Sequence, residues 1–137
     1  MNRNFGVLIP ATNTTVEIEF TRLIPESLQF HTARLGKGGE TAFSPSLDDD
    51  IAYQSKLLGD AKVGAVSLIQ TSASLFEEGY DTRIKKLISE FSGAPARTSA
   101  EAIGAAARAL NTHKVALVSP YSYEVINRAR NYFEKNC

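Results

Sequence analysis

Short apolar runs alternate along this chain with stretches of helical periodicity. Continuous apolar runs at residues 5–10 (FGVLIP) and 63–69 (VGAVSLI) are typical of strands buried in a parallel sheet. Residues 27–35 (SLQFHTARL) alternate and predict another strand, and 114–121 (KVALVSPY) repeat the apolar-then-proline pattern and predict a fourth. Helical spacing predicts helices within 11–25, 46–61, 81–91, 98–111 and 122–136. Residues 36–46 (GKGGETAFSPS) and 92–97 (SGAPAR) are predicted loops, and the first of them is a candidate lid.

The alternation of strands and helices predicts an α/β fold. Parallel strands need crossover connections, so the expected architecture is a mostly parallel sheet with helices on both faces. In such sheets, ligands bind beyond the carboxyl ends of the strands. Polar segments follow three of the predicted strands, namely PATNTT, QTSAS and PYSY. We therefore expect these segments to share one edge of the sheet.

Neutral hydrogen-bond donors are the shared chemistry of these segments. They comprise the hydroxyls of Thr71, Ser72 and Tyr121 and the amide of Asn13. Such a set suits a carboxylate, and it can stabilise the additional negative charge of an enediolate formed beside that carboxylate. Each residue also has an ordinary explanation: Asn13 as a helix cap, the hydroxyls of residues 71–74 as a polar turn, and Tyr121 as a half-buried tyrosine.

Composition narrows the function further. The 137-residue chain has 15 Lys plus Arg and 15 Asp plus Glu, so it has no net field to attract nucleic acid or an anionic membrane. No apolar run approaches the roughly 20 residues that span a bilayer, and we expect a cytoplasmic protein. The single cysteine, Cys137, forms neither an intramolecular disulfide nor a multi-cysteine metal site. We expect no metal.

The sequence resembles the maleate cis-trans isomerase and arylmalonate decarboxylase branch of the aspartate/glutamate racemase superfamily. The segments that carry the resemblance are GVLIPATNTTVEIEF, FHTARL, IQTSASLFEEGYD, GAPARTSAEAIGAAARAL and VALVSPYSYEVINRARNYFEK. The resemblance implies two similar α/β lobes with the active site between them and no organic cofactor. By this resemblance, residues 1–97 are the first lobe and 98–137 the beginning of an incomplete second lobe.

The resemblance also implies roles for individual residues. Asn13 and Pro10 would bind the substrate, and Thr71, Ser72 and Tyr121 would form the catalytic pocket that stabilises its carboxylate. The isomerases and racemases carry a cysteine just before the Thr-Ser pair, where this chain has Gln70. A neutral amide supplies no thiolate, so two-thiol chemistry is excluded for this chain alone. The resemblance implies that the decarboxylase branch also lacks this first cysteine and uses only a second one, as proton donor, so Gln70 by itself is compatible with decarboxylation. Cys137 does not match the position of that second cysteine.

Two functions stay open at this point. The first is cofactor-independent decarboxylation or isomerisation of a small (di)carboxylate, and the second is a catalytically silent carboxylate-binding module or remnant half-protein. A flavodoxin-like binder is disfavoured because no aromatic pair flanks a hydroxyl-rich phosphate loop after the first strand.

The predicted edge strand VALVSP needs cover, so we expect it to pair with another chain in a homo-oligomer or with the sheet of the first lobe.

Overall fold

The computed structural model describes residues 3–36 and 46–136, without the side chain of Ser46. The strands are β1 (Asn4–Pro10), β2 (Gln29–Leu35), β3 (Val66–Leu68) and β4 (Ala96–Thr98). The helices are α1 (Val16–Leu23), α2 (Ser46–Asp60), α3 (Tyr80–Ser92), α4 (Ser99–Ala109) and α5 (Tyr123–Asn136), and a 3-10 helix spans Thr71–Leu75. The predicted lid and Cys137 lie outside the described residues, apart from the ends of the lid segment.

All four strands are parallel and are ordered β2-β1-β3-β4. The α/β class and the parallel sheet are therefore confirmed. None of the described helices is both long enough and apolar enough to cross a bilayer.

Alternation along β1 supplies one hydrophobic core to each face of the sheet. Val7 and Ile9 are fully buried on the face that α1 covers, where they pack with Val16. Three phenylalanines complete this smaller core with ring centroids 5.6 to 6.3 Å apart, a range in which tilted and edge-on contacts are favourable: Phe5, Phe20 and Phe30. Helix α1 covers this face of the sheet, and α2 and α3 cover the other, so helices lie on both faces as the sequence predicts.

The larger core lies on the opposite face, between the sheet and helices α2 and α3. Leu8 of β1 and Leu68 of β3 are neighbours in register and contribute to it. Ile51 of α2 and Ile84 and Ile88 of α3 are fully buried against them. Ile84 and Ile88 are four residues apart, so both lie on the same face of α3.

The fourth strand is not the predicted one. Residues 112–122 lie wholly within the described range and form no strand, and the side chains of Val115 and Val118 are 69% and 94% exposed. Instead Ala96–Thr98 pairs with β3, where the sequence predicts the end of a loop (residues 96 and 97) and the first residue of a helix (Thr98). This short segment begins four residues after the end of α3 and lies beside the open edge of β3. It forms the fourth strand because the chain passes this edge there, and not because its composition is typical of a strand.

The prediction that VALVSP pairs with the first sheet is therefore wrong. The exposure of Val115 and Val118 also counts against the expectation that this segment is covered within the chain. Pairing with a second chain stays a prediction.

Close packing between α2 and α3 depends on Gly59, because a Cβ atom there would lie 2.6 Å from the carbonyl oxygen of Ser92. We expect Gly59→Ala to lower the free energy of unfolding by about 1–2 kcal/mol, since overpacking costs up to about 3 kcal/mol and alanine regains about 1 kcal/mol of helix propensity. Urea denaturation measures the change. Gly6→Ala is the matched control: the three atoms nearest to its Cβ belong to the side chain of Leu58, the closest at 2.8 Å, and a side chain can shift more easily than backbone, so a smaller loss is expected. A Gly59→Ala protein as stable as the wild type would contradict this account.

Candidate active site

The carboxyl ends of β1 and β3 meet at one edge of the sheet. Pro10 ends β1, and Thr71 and Ser72 begin the 3-10 helix that follows β3. β2 lies on one side of β1 and β3 on the other, so the order of the strands reverses between β1 and β3. Ligands in open α/β sheets bind beside such a reversal. The topology therefore brings the segments that carry Pro10, Asn13, Thr71 and Ser72 to one candidate crevice.

Arg34 of β2 holds the turn that follows β1. The backbone N–H of Asn13 donates to the carbonyl of Pro10 at 2.9 Å, which closes the turn. Nη1 of Arg34 donates to the carbonyl oxygens of Ala11 and Asn13 at 3.0 and 2.8 Å. The same guanidinium forms an ion pair with Glu17 in the first turn of α1. A cation on the neighbouring strand thus fixes the backbone that carries Asn13.

The side chain of Asn13 caps α1. Its Oδ1 accepts hydrogen bonds from the backbone N–H groups of Thr15 and Val16 at 3.1 and 3.0 Å. The capping interpretation is therefore seen in the structure, and it also fixes the orientation of the amide. Because these bonds use the oxygen, the amide NH₂ is the part of Asn13 that can donate to a ligand. Ligand binding by Asn13 stays a prediction.

Thr71 is paired with a second hydroxyl. Its Oγ1 lies 2.8 Å from Oγ of Ser99, the first residue of α4, and either atom could be the donor. Thr71, Ser72 and Ser99 are all half-buried. The pair links the segment after β3 to the segment after β4.

Gln70 stands between β3 and Thr71 with its amide oxygen buried. Within residues 3–36 and 46–136, Oε1 of Gln70 has no hydrogen-bond partner. A buried acceptor without a donor costs about 1–3 kcal/mol, so this position is not optimised for stability. The amide has no acidic or basic form near neutral pH, which leaves it unable to move a proton as a thiol would.

A carboxylate, Asp81, joins four elements beside this edge. Ser74 of the 3-10 helix and Thr98 of β4 both donate to Oδ1 of Asp81 at 2.6 Å. The hydroxyl of Tyr132 in α5 donates to Oδ2 at 2.5 Å. Thr98 Oγ1 also accepts from the backbone N–H of Glu101 at 3.3 Å and so caps α4. Asp81 therefore fixes the segments that carry Thr71 and Ser99.

Tyr121 is placed differently from the other predicted site residues. It follows the 112–118 segment, which forms no strand, so the strand-end argument that placed it at the shared edge is wrong. Its side chain is 37% exposed, and its backbone N–H donates to Oγ of Ser119 at 3.1 Å. The role of Tyr121 in the pocket stays a prediction.

A separate cavity of about 650 Å³ lies between α3, α4 and α5. None of the five predicted site residues lines it. Its lining includes the ion pairs Lys85–Glu101 and Lys135–Glu78, and the hydrogen bond from Lys135 holds the pKa of Glu78 below its ordinary value.

The described residues include no group of three or more His, Cys, Asp or Glu arranged to hold a metal ion.

Comparison with known proteins decides the family. The family model of arylmalonate decarboxylase matches residues 5–137. The chain belongs to the arylmalonate decarboxylase family. The resemblance inferred from the sequence is thereby confirmed.

Solved structures agree with this assignment. A glycine-to-cysteine mutant of arylmalonate decarboxylase in its sulfate-associated form has a TM-score of 0.80 and 25% identity, over 96% of this chain and 57% of that one. Unliganded arylmalonate decarboxylase has a TM-score of 0.80 and 25% sequence identity, over 96% of this chain and 56% of that one. A cysteine-to-alanine variant of the maleate isomerase Iso from Pseudomonas putida S16, with maleate, has a TM-score of 0.78 and 25% sequence identity, over 97% of this chain and 59% of that one. The chain thus spans 56–59% of the length of these proteins. No curated protein sequence matches it.

Sequence reasoning missed three polar residues of this region: Arg34, Asp81 and Ser99. One signal was available for Ser99, because Thr98–Ser99 repeats the Thr-Ser pair at residues 71–72. The pair at 71–72 follows β3, and the pair at 98–99 lies at the end of β4. Asp81 carried a weaker signal, since an acidic residue in the first turn of a helix is adequately explained by the helix dipole.

Replacing Asp81 tests its structural role. In Asp81→Asn the side chain keeps one acceptor oxygen and loses the charge that three hydroxyl groups share, so we expect the free energy of unfolding to fall by about 2 kcal/mol. Urea denaturation measures it. The control is Asp60→Asn, whose side chain is 67% exposed and 3.8 Å from Lys56, and whose effect should stay within about 0.5 kcal/mol. Equal effects of the two variants would contradict the role assigned to Asp81.

Proposed function

We propose that this protein binds a small carboxylate or dicarboxylate in the crevice at the carboxyl ends of β1 and β3. The observation that carries the proposal is the set of neutral donors at the reversal of strand order, in a chain of the arylmalonate decarboxylase family. A sulfate ion and maleate accompany two of the similar solved structures, and both ligands are anions. The substrate-binding residues in this proposal are Pro10, Asn13, Thr71, Ser72 and Tyr121.

The reaction that this set supports is cofactor-independent decarboxylation or isomerisation through an enediolate. In decarboxylation the bond between the α-carbon and one carboxyl group breaks and carbon dioxide leaves. The electron pair moves onto the remaining carboxylate, whose two oxygens then carry additional negative charge. The hydroxyls of Thr71, Ser72 and Tyr121 would stabilise that charge as it develops, which lowers the barrier more than it tightens binding. A proton must then reach the α-carbon, and the neutral side chain of Gln70 does not supply it.

A carboxylate-binding protein without turnover is the second candidate. The specific observation in its favour is Gln70, because this neutral amide occupies the position where the resemblance places a catalytic thiol in the isomerases. The same donors would hold the ligand in either case. Homo-oligomerisation is also part of this proposal, because a second copy of the chain would cover the exposed apolar residues at 115–118. We also propose a cytoplasmic location.

Calorimetric titration with maleate, malonate and aspartate tests carboxylate binding directly. We expect at least one of them to bind, and Ser72→Ala and Tyr121→Phe each to weaken binding by about threefold to tenfold through loss of one hydrogen bond. The matched controls are Ser89→Ala on α3 and Tyr123→Phe, whose side chain is 82% exposed; both should leave the affinity unchanged. Absence of binding to all three ligands would contradict the proposal. Hydrogen exchange at the α-carbon in heavy water, followed by NMR, then separates turnover from silent binding.

The two uses of the Asn13 side chain can be separated by substitution. Asn13→Asp keeps an acceptor for the cap and adds a charge that the N-terminus of α1 favours, so stability should be equal to or above that of the wild type. It also replaces the NH₂ donor by an anion, so carboxylate affinity should fall by about tenfold or more. Asn13→Ala should lose both the affinity and about 1 kcal/mol of stability. Wild-type affinity in a stable Asn13→Asp protein would remove Asn13 from the site.

A further inference from the structure

The hydroxyl pair of Thr71 and Ser99 raises the question of which proton faces the ligand. The two oxygens are 2.8 Å apart, so one hydroxyl donates to the other and the second proton is left to find another acceptor. Only the residue with the remaining proton can donate to a carboxylate. The direction of this one hydrogen bond therefore decides which side chain touches the ligand.

The order of the strands indicates that Thr71 is nearer to the ligand. The reversal of strand order lies between β1 and β3, and Thr71 belongs to the segment that follows β3. Ser99 follows β4, which is one strand farther from β1. Seen from the crevice, Ser99 lies behind Thr71.

The charge of the ligand indicates the direction of the bond. If Thr71 donated to Ser99, it would present only lone pairs to the crevice and would repel a carboxylate. If Ser99 donates to Thr71, the threonine proton is free to point at the ligand. Successive hydroxyls in such a chain polarise one another and strengthen the outer bond.

We propose that Ser99 is a positioning residue that donates its proton to Oγ1 of Thr71 and so directs the Thr71 hydroxyl toward the ligand carboxylate. This inference rests on the proposed function. Asp81 keeps the two hydroxyls in place, because it accepts from Ser74 in the helix that Thr71 begins and from Thr98, the residue before Ser99. Both partners of the pair are therefore held by their neighbours and not only by each other.

A double-mutant cycle on carboxylate binding tests the inference, with Thr71→Val, Ser99→Ala and the double variant titrated with maleate and malonate. We expect Ser99→Ala to weaken binding by about threefold to tenfold in the wild-type background and to have no effect in the Thr71→Val background. Ser99→Thr keeps a hydroxyl and should restore the affinity. Ser99→Cys offers only a weak S–H donor and should fall between the alanine and threonine variants. A purely structural role would not produce this dependence on Thr71.

The controls and the contrary outcomes are distinct. Ser89→Ala removes a half-buried serine hydroxyl elsewhere and should leave binding unchanged, and thermal unfolding checks that each variant is folded. Equal effects of Ser99→Ala in both backgrounds would make Ser99 an independent ligand contact and overturn the inference. So would a cycle in which Thr71→Val has no effect in the Ser99→Ala background while Ser99→Ala still weakens binding in the Thr71→Val background, because Ser99 would then be the residue that touches the ligand. If the wild type binds these anions and Ser99→Ala binds equally well, only the inference fails. If the wild type binds only aspartate, the same cycle is titrated with aspartate and the same outcomes decide the inference. Absence of binding to all three ligands overturns both the inference and the proposed function.

Discussion

The three hydrogen bonds to Asp81 are the constraint on which the candidate site depends. Their donors are Ser74, Thr98 and Tyr132, which belong to three different elements. An ionised carboxylate can accept all three bonds at once, and hydrogen bonds to a charged group are stronger than those between neutral groups. The 3-10 helix, the start of α4 and the helix α5 are thereby fixed relative to α3. Without this common acceptor, the segments that carry Thr71 and Ser99 would be joined by the pairing of β3 with β4 and by their own hydroxyl pair, with no charged group between them.

The sequence predicted those elements whose local pattern and tertiary environment agree. β1 is an uninterrupted apolar run because the two cores need residues from both of its faces, Val7 and Ile9 on one and Leu8 on the other. α3 shows buried residues four apart for the same reason. The pattern of each segment in these cases reports directly on what it packs against.

The fourth strand could not be predicted in this way. Residues 96–98 are Ala, Arg and Thr, and they carry no apolar run. They become a strand because α3 returns the chain to the free edge of β3, where backbone hydrogen bonds do not depend on side chains. Residues 115–118 have the right composition, but they pair with none of the four strands of the described sheet. Strand formation here was decided by the available partner and not by propensity.

The candidate site was predictable in kind but not in its connections. The sequence indicated neutral donors after strands, and the structure shows that Asn13 caps α1 with its amide oxygen, which leaves the NH₂ group as the part that can donate. It could not indicate that Asp81 reaches Tyr132, which is 51 residues away, or that Arg34 holds the turn after β1. Such bonds depend on the relative placement of elements, which no local pattern encodes.

The distribution of charge explains why neutral donors would carry recognition in this protein. The guanidinium of Arg34 near the crevice is already paired with Glu17, and Lys85 and Lys135 in the separate cavity are paired with Glu101 and Glu78. A paired cation offers little net attraction to an incoming anion, particularly at a surface screened by salt. The hydroxyls of Thr71 and Ser72 carry no competing counterion. Their dipoles can therefore respond fully to negative charge that grows on a bound carboxylate during a reaction, which an ion pair already satisfied by its partner cannot do.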